Sequence, residues 1–141
     1  MLSIAIRIAA QAFEVKVDKG GIPYILHCLH VMNKVKHLGE DAMAAAVLHD
    51  VPEDCSKDGY TFEYLESQGI KRDVIAVVKL LTHDPSEPYM DYIKRLALNE
   101  HARAIKKADL QHNSDITRLK GLRKKDFDRL EKYAVAYEYL K

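Results

Sequence analysis

Apolar residues recur at helical spacing along almost the whole chain, and no segment alternates apolar and polar residues as a half-buried strand does. Residues 2–15 put Ile4, Ile8, Ala12 and Val15 on one face of a first helix. A turn follows at Asp18-Lys19-Gly20-Gly21. Pro23 suits the first position of a second helix, where its missing N–H would be unpaired in any case. That helix is expected to reach about His37, with Tyr24, His27, Cys28, Val31 and Val35 on one stripe, and Gly39 stops it. A third helix covers about 41–51, and Pro52 kinks or ends it by removing a ladder hydrogen bond. Ser56-Lys57-Asp58-Gly59-Tyr60 reads as a loop, Thr61 as the N-cap of a short helix to about Gln68, and Gly69 as its end. Further helices are expected over about 71–82, 89–98, 100–118 and 124–140, with Pro85 and Pro88 bracketing a loop. There is no internal repeat, so the pattern predicts an all-α, compact fold with residues 1–141 as one domain.

The third helix carries the first chemical signal. Its run Ala42-Met43-Ala44-Ala45-Ala46-Val47-Leu48 is apolar all round, as in a buried helix, and it ends in His49-Asp50. A buried carboxylate is costly unless it is compensated. Two compensations fit: a divalent cation, which imidazole and carboxylate together suit, or a hydrogen-bonded His–Asp pair without metal. In the helix that begins near Glu100, residues Ile105, Ala108, Asp109, His112, Asn113 and Ile116 share one face, so Asp109 also points inward and needs a partner. His27 lies on the buried stripe of the second helix. Four inward ligand types, His27, His49, Asp50 and Asp109, thus come from three helices, which favours the metal.

Composition narrows the class. A chain of 141 residues, 48% hydrophobic and 30% charged, is large enough to bury one core. A net charge of +1 provides no global basic field for nucleic acid, although local cations can hold a small anion. No apolar run approaches the roughly 20 residues that span a bilayer. The start Met1-Leu2-Ser3-Ile4-Ala5-Ile6-Arg7 lacks a signal peptide's basic region and long apolar stretch. Cys28 and Cys55 form no CxxC pair, so a disulfide framework is not expected and a cytoplasmic location is.

Three blocks carry a more specific resemblance. They are Gly21-Ile22-Pro23-Tyr24-Ile25-Leu26-His27, His49-Asp50-Val51-Pro52-Glu53-Asp54, and Lys106-Lys107-Ala108-Asp109-Leu110-Gln111-His112-Asn113. The order H…HD…D resembles the metal signature of the HD phosphohydrolase superfamily. The HDxxED core and its two flanking blocks resemble the hydrolase domain of RelA/SpoT homologues, in its small stand-alone form. That resemblance implies removal of the 3′-pyrophosphate from guanosine tetra- and pentaphosphate. It implies His27, His49, Asp50 and Asp109 as ligands of one divalent ion, usually Mn²⁺, and Glu53 and Asp54 as the catalytic acidic pair. Lys19, Tyr24, Lys106, Asn113 and Arg118 would then meet the nucleotide. A nucleotide phosphatase of another specificity and a non-catalytic nucleotide-sensing module are the rival readings; neither nucleic acid nor membrane is an expected partner.

Other features stand apart from this set. His83-Asp84, with Glu87 nearby, lies between helices and is expected outside the metal site. His30, His37 and His101 read as surface or helix-end residues, and His112 as a structural hydrogen-bonding residue. Arg118, Lys120, Arg123, Lys124 and Lys125 read as a solvated basic face from which Arg118 can reach a phosphate. Three positions depart from the family pattern. Cys28 stands where proline is common and is expected to pack. Asp18-Lys19 stands where an Arg-Lys pair sandwiches the base, and Ile116 stands where a threonine is common. If Asp18 faces the pocket it repels phosphate, which predicts a looser base site; otherwise it caps the Gly20-Gly21 turn.

Overall fold

The computed structural model describes all residues, Met1–Lys141. It consists of helices α1 (Leu2–Ala12), α2 (Ile25–Lys34), α3 (Glu40–Leu48), α4 (Val51–Cys55), α5 (Phe62–Ser67), α6 (Arg72–Leu80), α7 (Tyr89–Leu96), α8 (Glu100–Asn113) and α9 (Lys124–Leu140). Three single 3₁₀ turns join some of them, and the only β pairing is an isolated antiparallel bridge between Val17 and Pro23. No helix is long and apolar enough to cross a membrane.

Helix α3 is the axis of the core. Ala42 and Ala44 through Leu48 are fully buried, and α1, α2, α6 and α8 pack around them. Its alanines let neighbouring helices approach closely, so the residues that follow α3 emerge deep inside the protein. The helix ends one residue before His49, and Asp50 is the N-cap of α4. Pro52 therefore falls in the first turn of α4, where it costs no ladder bond. Thr61 and Asn99 cap α5 and α8 with their side chains, accepting from Tyr64 N at 3.1 Å and Ala102 N at 2.9 Å.

Several boundaries differ from the sequence expectation, each for a local reason. Helix α1 stops at Ala12 rather than 15; its buried face is Ala5, Ile8 and Ala9, and Val15 is 93% exposed. Phe13 leaves the helix to pack edge-on against Tyr24, with ring centroids 4.8 Å apart. Beyond it, Asp18 N donates to Ile22 O and Tyr24 N to Lys16 O, so residues 16–24 form a short hairpin. Pro23 sits in that hairpin, and α2 begins only at Ile25. At its other end α2 tightens into the 3₁₀ turn Lys36–Leu38 before Gly39, whose φ is +96°. Helix α8 ends at Asn113, not 118, because the Asp115 carboxylate accepts from Thr117 N and Oγ1 and draws the backbone into a new turn.

Candidate metal centre and substrate cavity

Four donors converge where α2, α3, α4 and α8 meet. His27 comes from the first turn of α2, His49 and Asp50 from the α3–α4 joint, and Asp109 from the inner face of α8. One ligand atom from each lies within 4.8 Å of every other. Asp109 Oδ1 is 3.0 Å from His27 Nε2 and 3.3 Å from His49 Nε2; Asp50 Oδ2 is 3.0 Å from His49 Nε2 and 3.8 Å from His27 Nε2. Both histidines and Asp109 are buried.

The surroundings aim these atoms. His49 Nδ1 is 2.6 Å from the Ala46 carbonyl, which can only accept, so Nδ1 carries a proton and Nε2 is the nitrogen that faces the carboxylates, where it holds either a proton or a cation. His27 Nδ1 is 2.7 Å from His112 Nδ1. Burial pushes His112 down to about 4, helped by Arg118 and the neighbouring histidines, so His112 is neutral and can accept from His27. Tyr24 donates its hydroxyl to Asp50 Oδ2 at 2.5 Å. Lys106 Nζ lies 2.9 Å from Asp109 Oδ2, and the Asn113 amide donates to Asp109 Oδ1 at 3.0 Å.

The electrostatics match a cation. Burial opposes charge on both Asp109 and His49. Nevertheless Lys106 and the two histidines hold the Asp109 carboxyl well below the usual range, while Asp50 and Asp109 raise His49 well above its own. The cluster is thus a point of negative potential that draws positive charge onto an imidazole. Two imidazole nitrogens and two carboxylate oxygens, buried and convergent, fit a divalent ion.

A cavity of about 250 Å³ opens beside these donors and is lined by Asp50, Asp109, Glu53, Asp54, Lys106 and Asn113, among others. Glu53 Oε1 accepts the His83 backbone N–H at 2.7 Å. The residue as a whole is exposed, but desolvation around its carboxylate raises its pKa. Asp54 pairs with Lys16 at 2.7 Å, and Lys16 Nζ also lies 4.0 Å over the Tyr24 ring. A second cavity of about 390 Å³ shares Tyr24, Asn113 and Tyr133 with the first and is also lined by Lys16, Asp18, Lys19, Arg118 and Arg129.

The structure therefore brings His27, His49, Asp50, Asp109, Glu53, Asp54, Tyr24, Lys106 and Asn113 together, with Lys19 and Arg118 in the adjoining cavity. Arg118 is already engaged: it donates to His112 O at 2.7 Å and to Asn113 Oδ1 at 3.3 Å, and it pairs with Asp18 at 3.2 Å. Asp18 is a turn cap rather than a free pocket charge. Its Oδ1 accepts from Gly20 N at 2.8 Å and Ile22 N at 2.9 Å, and its other oxygen holds Arg118. Gly20 is required there, because a Cβ would fall 2.3 Å from the Arg118 carbonyl oxygen. Ile116 is half exposed and lines neither cavity.

His30 corrects a sequence expectation: it stacks on His112 at 3.8 Å and so supports the His27 side of the centre. His83 and Asp84 stay out of the four-donor cluster, His83 bonding Glu87 O and Asp84 bonding Ser86. Residues that sequence reasoning missed are Lys16, Tyr89, Tyr92, Arg129, Lys132 and Tyr133. A signal existed for the last three, which are spaced i, i+3, i+4 on one face of α9.

A family model described as HD domain matches residues 5–108, well over half the chain. The chain belongs to the HD-domain family. No curated protein matches this HD domain. Among solved structures, a metazoan orthologue of SpoT that hydrolyses ppGpp covers 99% of this chain and 85% of its own, with a TM-score of 0.79 and 24% identity. At that identity the likeness establishes the shared fold.

Proposed function

We propose that this HD domain is a metal-dependent phosphohydrolase acting on a phosphorylated nucleoside, with the 3′-pyrophosphate of guanosine tetra- or pentaphosphate as its substrate. The observation that carries this reading is the meeting, in one cavity, of a four-donor centre and the acidic pair Glu53–Asp54. A sensing module would need the first without the second. His27, His49, Asp50 and Asp109 would hold the ion, with Mn²⁺ suiting the mixed nitrogen and oxygen donors. Bound there, the ion would supply Lewis-acid polarisation of the phosphoryl oxygens and acidify water.

The chain's own residues do the remaining work. Glu53, with one oxygen held by the His83 N–H and its pKa raised by desolvation, accepts the proton of the attacking water. Asp54, steadied by Lys16, supports Glu53 in that proton transfer. Lys106 offsets phosphate charge, and Asn113 and Tyr24 stand between the reacting end and the larger cavity, which takes the nucleoside. The metazoan ppGpp hydrolase of the same fold supports the alarmone as substrate. Asp18, bound into its turn, provides no stacking guanidinium, and this favours as second reading a phosphatase for a different nucleotide.

A turnover screen with Mn²⁺ against guanosine tetraphosphate, guanosine pentaphosphate and common nucleotides tests the proposal. The expected result is GDP and pyrophosphate from the tetraphosphate. Release of single phosphates from another nucleotide, with the alarmone untouched, would establish the second reading instead.

A further inference from the structure

The side of the smaller cavity built by α7 and α9 carries a group that the chemistry above leaves unexplained. Tyr89, the first residue of α7, has the one buried side-chain polar atom in the protein with no hydrogen-bond partner, its hydroxyl oxygen. Buried polar atoms are nearly always satisfied, so an isolated one beside a reaction centre calls for a ligand. Lys132 of α9 lies 4.5 Å over the Tyr89 ring and 5.7 Å over Tyr133. The lysines that make ion pairs are Lys16, Lys71, Lys106 and Lys141, and Lys132 is not among them. Lys106 makes one hydrogen bond, to Asp109, and lies 5.4 Å over the Tyr92 ring, so its ammonium has further N–H groups to give.

These three side chains offer donors. The phenol stays protonated, because burial raises its pKa. Two ammonium groups beside an unpartnered phenol O–H suit an oxyanion. Tyr89 and Lys132 line the smaller cavity with Glu53 and Asp109 but not the larger one proposed for the nucleoside, so the oxyanion they suit lies on the reacting side of the substrate. We propose that Tyr89 and Lys132, assisted by Lys106, form a phosphate-binding subsite that receives the departing phosphoryl group. This rests on the phosphohydrolase reading.

Calorimetric titration of the Mn²⁺-loaded protein with inorganic pyrophosphate, and separately with orthophosphate, tests it. The parent should bind at least one of the two anions. Tyr89→Phe should weaken that binding about three- to tenfold through loss of one hydrogen bond, and Lys132→Gln about tenfold or more through loss of a charged donor. Bound metal, measured by mass spectrometry, should stay at the parent level in both. Loss confined to pyrophosphate identifies a diphosphate leaving group, and equal loss for orthophosphate identifies a single phosphate. A parent that binds neither anion, or a Tyr89→Phe protein that binds as the parent does, overturns the subsite. If the anion losses appear but no nucleotide is turned over, the subsite stands and the hydrolase reading falls. If nucleotide is turned over and the variants bind both anions normally, the reverse holds.

Discussion

Lys106→Met separates two partners of Asp109. Lys106 is 13% exposed and its ammonium lies 2.9 Å from Asp109 Oδ2. Methionine keeps most of the stem's packing and removes the charge. In metal-free protein this leaves a buried carboxylate with only two imidazoles and one amide, and breaking a buried pair in this way costs about 3–5 kcal/mol. With an unfolding entropy of about 2.1 cal/mol/K per residue, the chain's 141 residues sum to about 0.3 kcal/mol/K, so the melting temperature should drop by about 10–17 °C. With the ion bound, Asp109 has another cation to meet, and Lys106 no longer repels that ion. The drop should shrink to less than half. By linkage, each 1.4 kcal/mol so recovered appears as about tenfold tighter metal binding in the variant. Thermal unfolding followed by circular dichroism, in chelator and in excess Mn²⁺, reads both values. An equal drop in the two conditions would show that Asp109 does not face an ion.

Glu53→Gln should lower turnover by about 10²-fold or more while leaving metal content unchanged, measured by initial rates and elemental analysis. Because the Glu53 pKa is raised above the ordinary 4.5 and the base works deprotonated, parent activity should fall as pH drops through that raised value, and this limb should vanish in the variant's pH profile. A carboxyl whose pKa is raised in the folded state contributes stability that is fully present below its unfolded value and is lost as pH rises through the folded one. Glu53→Gln should therefore melt no lower than the parent at neutral pH. Asp18→Arg should lose two turn bonds and confront Arg118 with a like charge, destabilising by about 1–3 kcal/mol in denaturant unfolding rather than tightening nucleotide binding.

The convergence of the four candidate donors was legible in the sequence because each made local sense. His49 and Asp50 end a helix apolar all round, and Asp109 interrupts an apolar face, so burial followed from periodicity alone. The helices other than the short α4, which Pro52 starts rather than ends, were legible for the same reason, down to the Thr61 cap. What escaped was whatever depends on a partner distant along the chain. Val15 falls on a helical stripe, but Phe13 leaves the helix to meet Tyr24, and Val15 ends in solvent. Asp18 stayed open between a repulsive pocket charge and a turn cap, because Arg118, 100 residues away, is invisible to local spacing. His30 looked like a surface residue until His112 stacked on it. Lys132 and Tyr89 lie on separate helices and become neighbours only when α9 closes over α7.

On the function proposed above, His27, His49, Asp50 and Asp109 hold one divalent ion. Metal content per folded chain, measured by inductively coupled plasma mass spectrometry after Mn²⁺ loading and desalting, tests it most directly. One ion in the parent, and loss of that ion in both His49→Ala and Asp109→Ala, is the predicted result. Metal retained at the parent level in either variant would contradict it.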